Sequence, residues 1–342
     1  MAMVTSVQIK TLISSSLYHT GITNYLLSRY SPEKNVILMY HRVLPGGILP
    51  NGIQPGMYVF SDTFERHISL LKKKFSLVSL EQLLRSENEE GGGRHKCALT
   101  FDDGWRDFYD QAFPVLKSHQ VPATVFLPTD FIGTEKWFWT DRLASLLMRG
   151  EDIRAAINSG KNTDNPLVDN ILNFPGPPNA RIEAAISLLK LRRQEEIEEI
   201  LREISFFLTR NLESPQRAFL TWDEVREMSA SGLVSFGSHT TSHRILTTLE
   251  EGEIQKELSE SKAKLLEEKV VMPNFVPFCY PNGNFNEQIT RMVQNAGYSL
   301  ALSTEFGWAG KDDDVFTLKR IPIHDDITST EALFSCRMIG LW

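Results

Sequence analysis

The sequence predicts an α/β protein built on a parallel sheet, either closed into a barrel or doubly wound. Two observations carry this. Short apolar runs alternate with amphipathic helical patterns along most of the chain, which is the signature of strand–helix–strand units. Three of those runs also stop abruptly at Gly- or Pro-containing turns, as buried strands do. They are Cys97–Phe101 running into Asp102-Asp103-Gly104, Leu233–Phe236 running into Gly237-Ser238-His239-Thr240-Thr241-Ser242-His243, and Phe275–Cys279 running into Tyr280-Pro281-Asn282-Gly283. In parallel α/β sheets the carboxyl ends of the strands converge on one face. Two carboxylates and two imidazoles therefore meet in one pocket, an arrangement suited to a mononuclear metal hydrolase.

Strands are expected near Val36–Met39, Ser76–Ser79, Cys97–Phe101, Ala123–Leu127, Val234–Phe236, Phe275–Cys279, Leu300–Leu302 and Thr317–Ile323. Asp62-Thr63-Phe64-Glu65 reads as a capping box opening a helix through Ile68, Leu70 and Leu71. Further helices are expected from Trp105 to about Ser118 and from Glu251 to Glu268. Residues 1–34 form an N-terminal helical extension, and residues 35–342 the main domain, interrupted by a helical insertion over 136–220. That insertion holds helical runs at Ala180–Leu191 and Gln194–Leu208 and a Pro-rich loop at 174–178, and its expected role is to cap the site. Gly91-Gly92-Gly93 reads as a surface turn, because the rest of a phosphate-loop pattern is missing.

Composition narrows the function classes. The 342 residues, 42% of them hydrophobic, suffice for a sizeable core. A net charge of −7 with no basic stripe excludes nucleic acid as the main partner. Cys97, Cys279 and Cys336 have no metal-site spacing, and Cys97 and Cys279 read as core residues. The first thirty residues lack a basic segment followed by a continuous apolar run, so a cytoplasmic location is expected. Met3, Val7, Leu12, Ile13, Leu17, Ile22, Tyr25, Leu26 and Tyr30 give a partly amphipathic pattern. Its first reading is a helix packed on the domain, and its alternative is peripheral contact with a membrane surface.

Adjacent aspartates point in different directions, so one can hold a metal while the other handles a proton. His239 and His243, four residues apart, can bind one ion, and two His with one carboxylate leave coordination positions open. Thr100–Gly104 and Ser238–His243 resemble the first two motifs of the polysaccharide deacetylases, the NodB-homology group (carbohydrate esterase family 4). Tyr280–Gly283 resembles the third motif in one branch of that group. The likeness extends through Leu38–Val43, Pro122–Leu127 and Leu220–Trp222, and covers roughly residues 35–135 and 220–325.

This resemblance implies a distorted (β/α)7-type barrel and a metal-dependent removal of N-acetyl groups from amino sugars. It assigns Asp103, His239 and His243 to a divalent ion, commonly Zn2+, with Co2+ or Ni2+ as substitutes. Asp102 is then the general base toward the attacking water, and the backbone N–H of Asn282 the donor to the oxyanion. Many relatives carry Arg-Pro-Pro-Tyr at the third motif, where this chain has Cys279-Tyr280-Pro281-Asn282. The Arg that pairs with the base is therefore missing, and Arg320 is the candidate replacement. His324 is the candidate general acid, with a rim histidine paired to Asp325 or Asp326 as the alternative. His41, Trp137 and Trp139 read as buried or packed residues, with substrate contact as the alternative for each. The family's fourth motif is not evident, and Trp308 is expected to pack against the barrel.

The expected substrate is an N-acetylated amino sugar, as an oligosaccharide or a lipid-linked or nucleotide-linked intermediate of surface-glycan or glycolipid synthesis. Alternatives are a deformylase or O-deacetylase at the same centre, and a glycan-binding barrel that no longer catalyses.

Overall fold

A computed structural model describes residues 6–30, 34–47, 53–54, 56–84, 94–148, 165–208 and 217–342. The Gly91–Gly93 turn and Met3 lie outside the described residues.

Seven parallel strands close into a barrel. They are β1 (Val36–Tyr40), β5 (Lys96–Phe101), β6 (Ala123–Leu127), β7 (Val234–Ser238), β8 (Pro277–Cys279), β9 (Leu300–Phe306) and β10 (Leu318–Pro322). Their order is β1-β10-β9-β8-β7-β6-β5, and β5 pairs back to β1 through the register Tyr40↔Phe101. Strands β1 and β6 are buried at every position. That is why they read as unbroken apolar runs: a parallel strand covered on both faces has no side left for polar residues. The (β/α)7 expectation thus matches the observed closure.

Among the described residues, three short strands lie outside the closed ring. β4 (Ser76–Leu77) adds to β5, while β2 (Arg42–Leu44) and β3 (Tyr58–Phe60) form a parallel pair of their own, absent from the sequence reading. β9 runs longer than expected, to Phe306, and its ladder with β10 shifts register between Leu318 and Arg320.

Several local expectations need correction. The helix Ser61–Lys74 begins after Phe60 without a side-chain cap, and Asp62 is ion-paired to Arg66 one turn on instead. A capping box does occur at Thr221–Glu224, and a second, with Glu250 as the cap, opens the helix Glu251–Glu267. The expected helix from Trp105 is a π-helical turn (Phe108–Ala112) followed by an α-helix (Phe113–His119). The N-terminal extension is two helices, Ser6–His19 and Ile22–Leu27, broken at Gly21 with φ 79°. Trp308, expected to pack against the barrel, is buried edge-on to His95 just before β5 at 4.9 Å, and it also stacks on Tyr30 of the N-terminal extension at 4.1 Å.

The chain forms two compact units. The first holds the barrel and comprises residues 1–46, 56–133 and 219–342. Its chain leaves twice, after Gly46 and after Gly133, and the second exit is tied to its return where Gly133 donates to the Leu220 carbonyl and Leu220 to that of Gly104. The second unit comprises residues 47–55 and 134–218. Its helices Trp139–Leu147, Pro166–Leu172, Pro178–Leu189 and Gln194–Phe207 close on a core of their own that includes Leu143, Ile171, Leu189, Leu201 and Ile204. The acidic face of Gln194–Phe207 is partly neutralised by Arg142, which pairs with Glu198 at 2.7 Å.

Candidate active site

The strand ends bring the predicted carboxylates and imidazoles together. Asp102 and Asp103 follow β5 directly, and both are buried. The backbone turns left-handed at Asp103 (φ 74°) and Gly104 (φ 65°), so the two neighbouring carboxylates face different partners.

Asp103 faces the histidines. Its Oδ1 lies 3.5 Å from His239 Nε2 and 3.2 Å from His243 Nε2, while its Oδ2 accepts from Trp105 Nε1 at 3.0 Å. His239 Nδ1 sits 2.8 Å from the Cys279 carbonyl. A carbonyl only accepts, so Nδ1 carries the proton and the Nε2 lone pair is left facing Asp103. One donor atom from each of Asp103, His239 and His243 falls within 4.8 Å of the others. A carboxylate and two imidazoles, with one imidazole already oriented by a carbonyl, is a donor set that fits a divalent ion. Burial works to raise the Asp103 pKa, but with no ion between them the two imidazoles in their protonated form donate to the carboxylate, outweigh burial and hold the carboxyl well below its usual range.

Asp102 faces a guanidinium. Arg320 is fully buried and grips it with both arms, Nη1 to Oδ1 at 2.8 Å and Nη2 to Oδ2 at 2.7 Å. The remaining donors are also used: Nε bonds the Ser303 carbonyl at 2.8 Å, Nη1 also meets Thr100 Oγ1 at 3.2 Å, and Nη2 meets Cys279 Sγ at 3.1 Å. Ser303 lies where β9 slips against β10, so the irregular ladder supplies the carbonyl that steers the guanidinium inward. Burial again pushes the Asp102 pKa up, and the Arg320 charge and hydrogen bonds bring it below the ordinary value. Arg320 is therefore no surface residue at a strand end. Cys279 stands at the third-motif position to which the family resemblance assigns an Arg. Its small side chain, 3.5 Å from Asp102 Oδ2, leaves room for the guanidinium arriving from β10.

Two further histidines sit at this end of the barrel. His41 follows β1, and its Nε2 is 4.0 Å from Asp102 Oδ2, with 16% of the side chain exposed. Desolvation lowers its pKa, against the pull of Asp103 and Asp102. His324 follows β10, and its Nδ1 is 3.1 Å from Asp326 Oδ2, the rim pairing the sequence allowed. Asn282 is exposed and left-handed (φ 54°) in the turn Pro281–Gly283 after β8. Gly283 is needed beside it: φ is 75°, and a Cβ there would lie 1.9 Å from Thr304 Oγ1.

One organising residue escaped the sequence reading. Glu257, buried on the helix Glu251–Glu267, accepts from the backbone N–H groups of Thr241 and Ser242, each at 2.9 Å, and from the Ser242 hydroxyl. It thereby ties down the loop between the two histidines, in which Thr240 (φ 65°) and His243 (φ 60°) are both left-handed. A signal was present, because Glu257 interrupts the buried stripe Ile254, Leu258, Ser261, Leu265.

A family model described as polysaccharide deacetylase matches residues 89–160 and 195–301, just over half of the chain. The chain belongs to the polysaccharide deacetylase family. Among family relatives, YxkH of Bacillus subtilis, named as a polysaccharide deacetylase, is 22% identical over 303 residues, covering 88% of this chain and 75% of its own. A poly-beta-1,6-N-acetyl-D-glucosamine N-deacetylase of Staphylococcus aureus is 27% identical over 129 residues, which is 34% of this chain and 43% of that protein. The deacetylase fold is also found in solved structures. The Streptococcus pyogenes deacetylase PplD, in complex with acetate, superposes with a TM-score of 0.56 at 20% identity, covering 87% of this chain and 95% of that one. IcaB from Ammonifex degensii superposes with a TM-score of 0.54 at 17% identity, covering 89% and 97%.

Proposed function

We propose that this deacetylase hydrolyses the N-acetyl group of an amino sugar in a metal-dependent reaction. The observation that carries the proposal is the division between the two aspartates. Asp103 is committed to two imidazoles, and Asp102 is held ionised by Arg320 beside them.

Asp103, His239 and His243 would hold the ion, and a nitrogen-rich set of this kind suits Zn2+, with Co2+ or Ni2+ as substitutes. A divalent ion there supplies Lewis acidity, which acidifies water and polarises the acetamide carbonyl. Asp102 takes the proton of the attacking water. Its bidentate grip on Arg320 orients the carboxylate and keeps it ionised, so no pH adjustment is needed before it accepts. The Asn282 N–H, presented by the strained turn after β8, is the candidate donor to the developing oxyanion.

The departing amine needs a proton. Of the two imidazoles at the rim, His41 touches the base pocket, whereas His324 is engaged with Asp326. The geometry therefore favours His41 over His324 as the donor. A replacement of His41 by Ala that lowers kcat by about 10²–10⁴-fold, and a replacement of His324 by Ala that lowers it little, would bear this out. The opposite ranking would return the role to His324.

The Staphylococcus relative is named for a poly-N-acetylglucosamine, which supports a chain of N-acetylated hexosamines as the first substrate class to try. Lipid-linked and nucleotide-linked N-acetylhexosamines complete the panel. The deciding experiment is acetate release by Zn2+-loaded protein across that panel, with Asp102→Asn as control. Release that disappears in the variant supports the proposal and names the carrier. No release from any member, with one ion bound per chain, would overturn it in favour of another acyl group or a binding role.

A further inference from the structure

The two N-terminal helices present an inverted face. Against the C-terminal helix Glu331–Met338 they bury Ser14 and Thr23 almost completely, with Leu17 and Leu27 only half-buried beside them. Outward they show Ile9, Leu12, Ile13, Ile22, Tyr25 and Leu26, each more than a third exposed and Leu12 and Tyr25 at 68% and 64%. A helix pair that serves only to pack on a domain turns its apolar side inward. Here the larger apolar side chains face outward, and much of the attachment is polar and aromatic. Tyr18 donates to Glu331 at 2.6 Å, Trp342 to Ser14 at 3.2 Å and Tyr30 to the Ile339 carbonyl at 3.1 Å, which fixes the pair with its apolar side out.

Charge identifies the occupant. The protein carries 43 acidic residues and a net charge of −7, yet no Asp or Glu precedes Glu33. Lys10 and Arg29 are both exposed on this stretch. An apolar face flanked by cations and stripped of carboxylates matches the anionic phosphodiesters of a lipid headgroup layer, with the aliphatic side chains reaching below them. A symmetric contact with a second copy would set the same cation-bearing surface against itself, with no counter-charge. We propose that the helices Ser6–His19 and Ile22–Leu27 dock this deacetylase peripherally on an anionic lipid surface. No described helix is long and apolar enough to cross a membrane.

The test is co-flotation of the full chain with vesicles of phosphatidylcholine alone or mixed with phosphatidylglycerol, alongside its mass in solution. Binding should require phosphatidylglycerol and weaken with salt. It should fall roughly tenfold or more in Lys10→Glu/Arg29→Glu and in Leu12→Ser/Tyr25→Ser. These exposed residues lie outside the reaction machinery, so acetate release from a soluble substrate should be unchanged and certify the fold. A dimer that Leu12→Ser/Tyr25→Ser dissolves, without vesicle binding, would overturn the proposal in favour of a second copy. A monomer that ignores both vesicle types would overturn it outright, as would equal binding by the charge-reversed variant.

Discussion

Asp102 and Asp103 are neighbours in sequence, share a strand end and are both buried, yet they occupy opposite chemical settings. Asp103 meets two imidazoles and an indole N–H, groups that can give way to a metal ion or a water. Asp102 meets a guanidinium that cannot lose its proton, anchored by Ser303, Thr100 and Cys279. The first carboxylate is therefore free to exchange partners, and the second is held as an anion of fixed direction. The left-handed turn at Asp103 makes the separation, by aiming consecutive side chains into different pockets. The proposed ligand and the proposed base, built this way, need no long-range choreography, only one unusual φ.

The difference can be broken first on the metal side. Replacing Asp103 or His239 by Ala should reduce bound Zn2+ from one ion per chain to background, with turnover lost alongside, as metal analysis and acetate release would show. Asp102→Asn should keep the ion while kcat falls by about 10²–10⁴-fold. It should also lower stability by roughly 3–5 kcal/mol in a denaturant titration, because Arg320 is left as an uncompensated buried charge. An active Asp102→Asn variant would dissolve the division of roles.

Arg320→Lys sharpens the comparison without removing the charge. The lysine cannot reproduce the two-armed grip, so Asp102 should titrate at a higher pH than in the native protein. The sign follows from the depressed native pKa. Asp102 works while ionised, and activity is lost as pH falls through its folded pKa; weakening the partner moves the acid limb of kcat/KM to higher pH. The same group contributes stability above its unfolded pKa of about 3.9. That contribution vanishes as pH drops through the folded value, and the lysine variant should lose it at higher pH. Glu257→Gln acts at one remove. The loop between His239 and His243 loses its anionic anchor, and Zn2+ affinity should weaken by about 10-fold, measured by competition with a chelator. Cys279→Ala should have the smallest effect, below about 1.5 kcal/mol, since it trims a neutral side chain whose thiol pKa burial has pushed up.

Much of this site was legible in the chain. Apolar runs buried on both faces marked β1, β5, β6 and β7, and the polar residues just past them were read as pocket residues because parallel strands share one functional end. The pairing of Asp102 with Arg320, 218 residues apart, was reachable only because the family Arg was missing and few cations follow a late strand. Glu257 was not legible as a positioning residue, since a charge on a helix is ordinarily solvated and only the loop above it makes it buried. The N-terminal stripe was seen as amphipathic, but which side faces inward was set by Tyr18, Ser14 and Tyr30 meeting partners near the opposite end of the chain.

By itself, then, the sequence determined a parallel α/β sheet, the acidic and imidazole motifs and their placement at strand ends, because these follow from local periodicity and turn chemistry, while the closure of the sheet into a barrel was implied by the family resemblance. The tertiary structure decided which carboxylate meets which partner, that Arg320 fills the space beside Cys279, and that His41 lies beside Asp102 while His324 pairs with Asp326. Those outcomes depend on strand register, one β9–β10 slip and one left-handed residue. Such features arise from how the whole ring closes, and no window of sequence contains them.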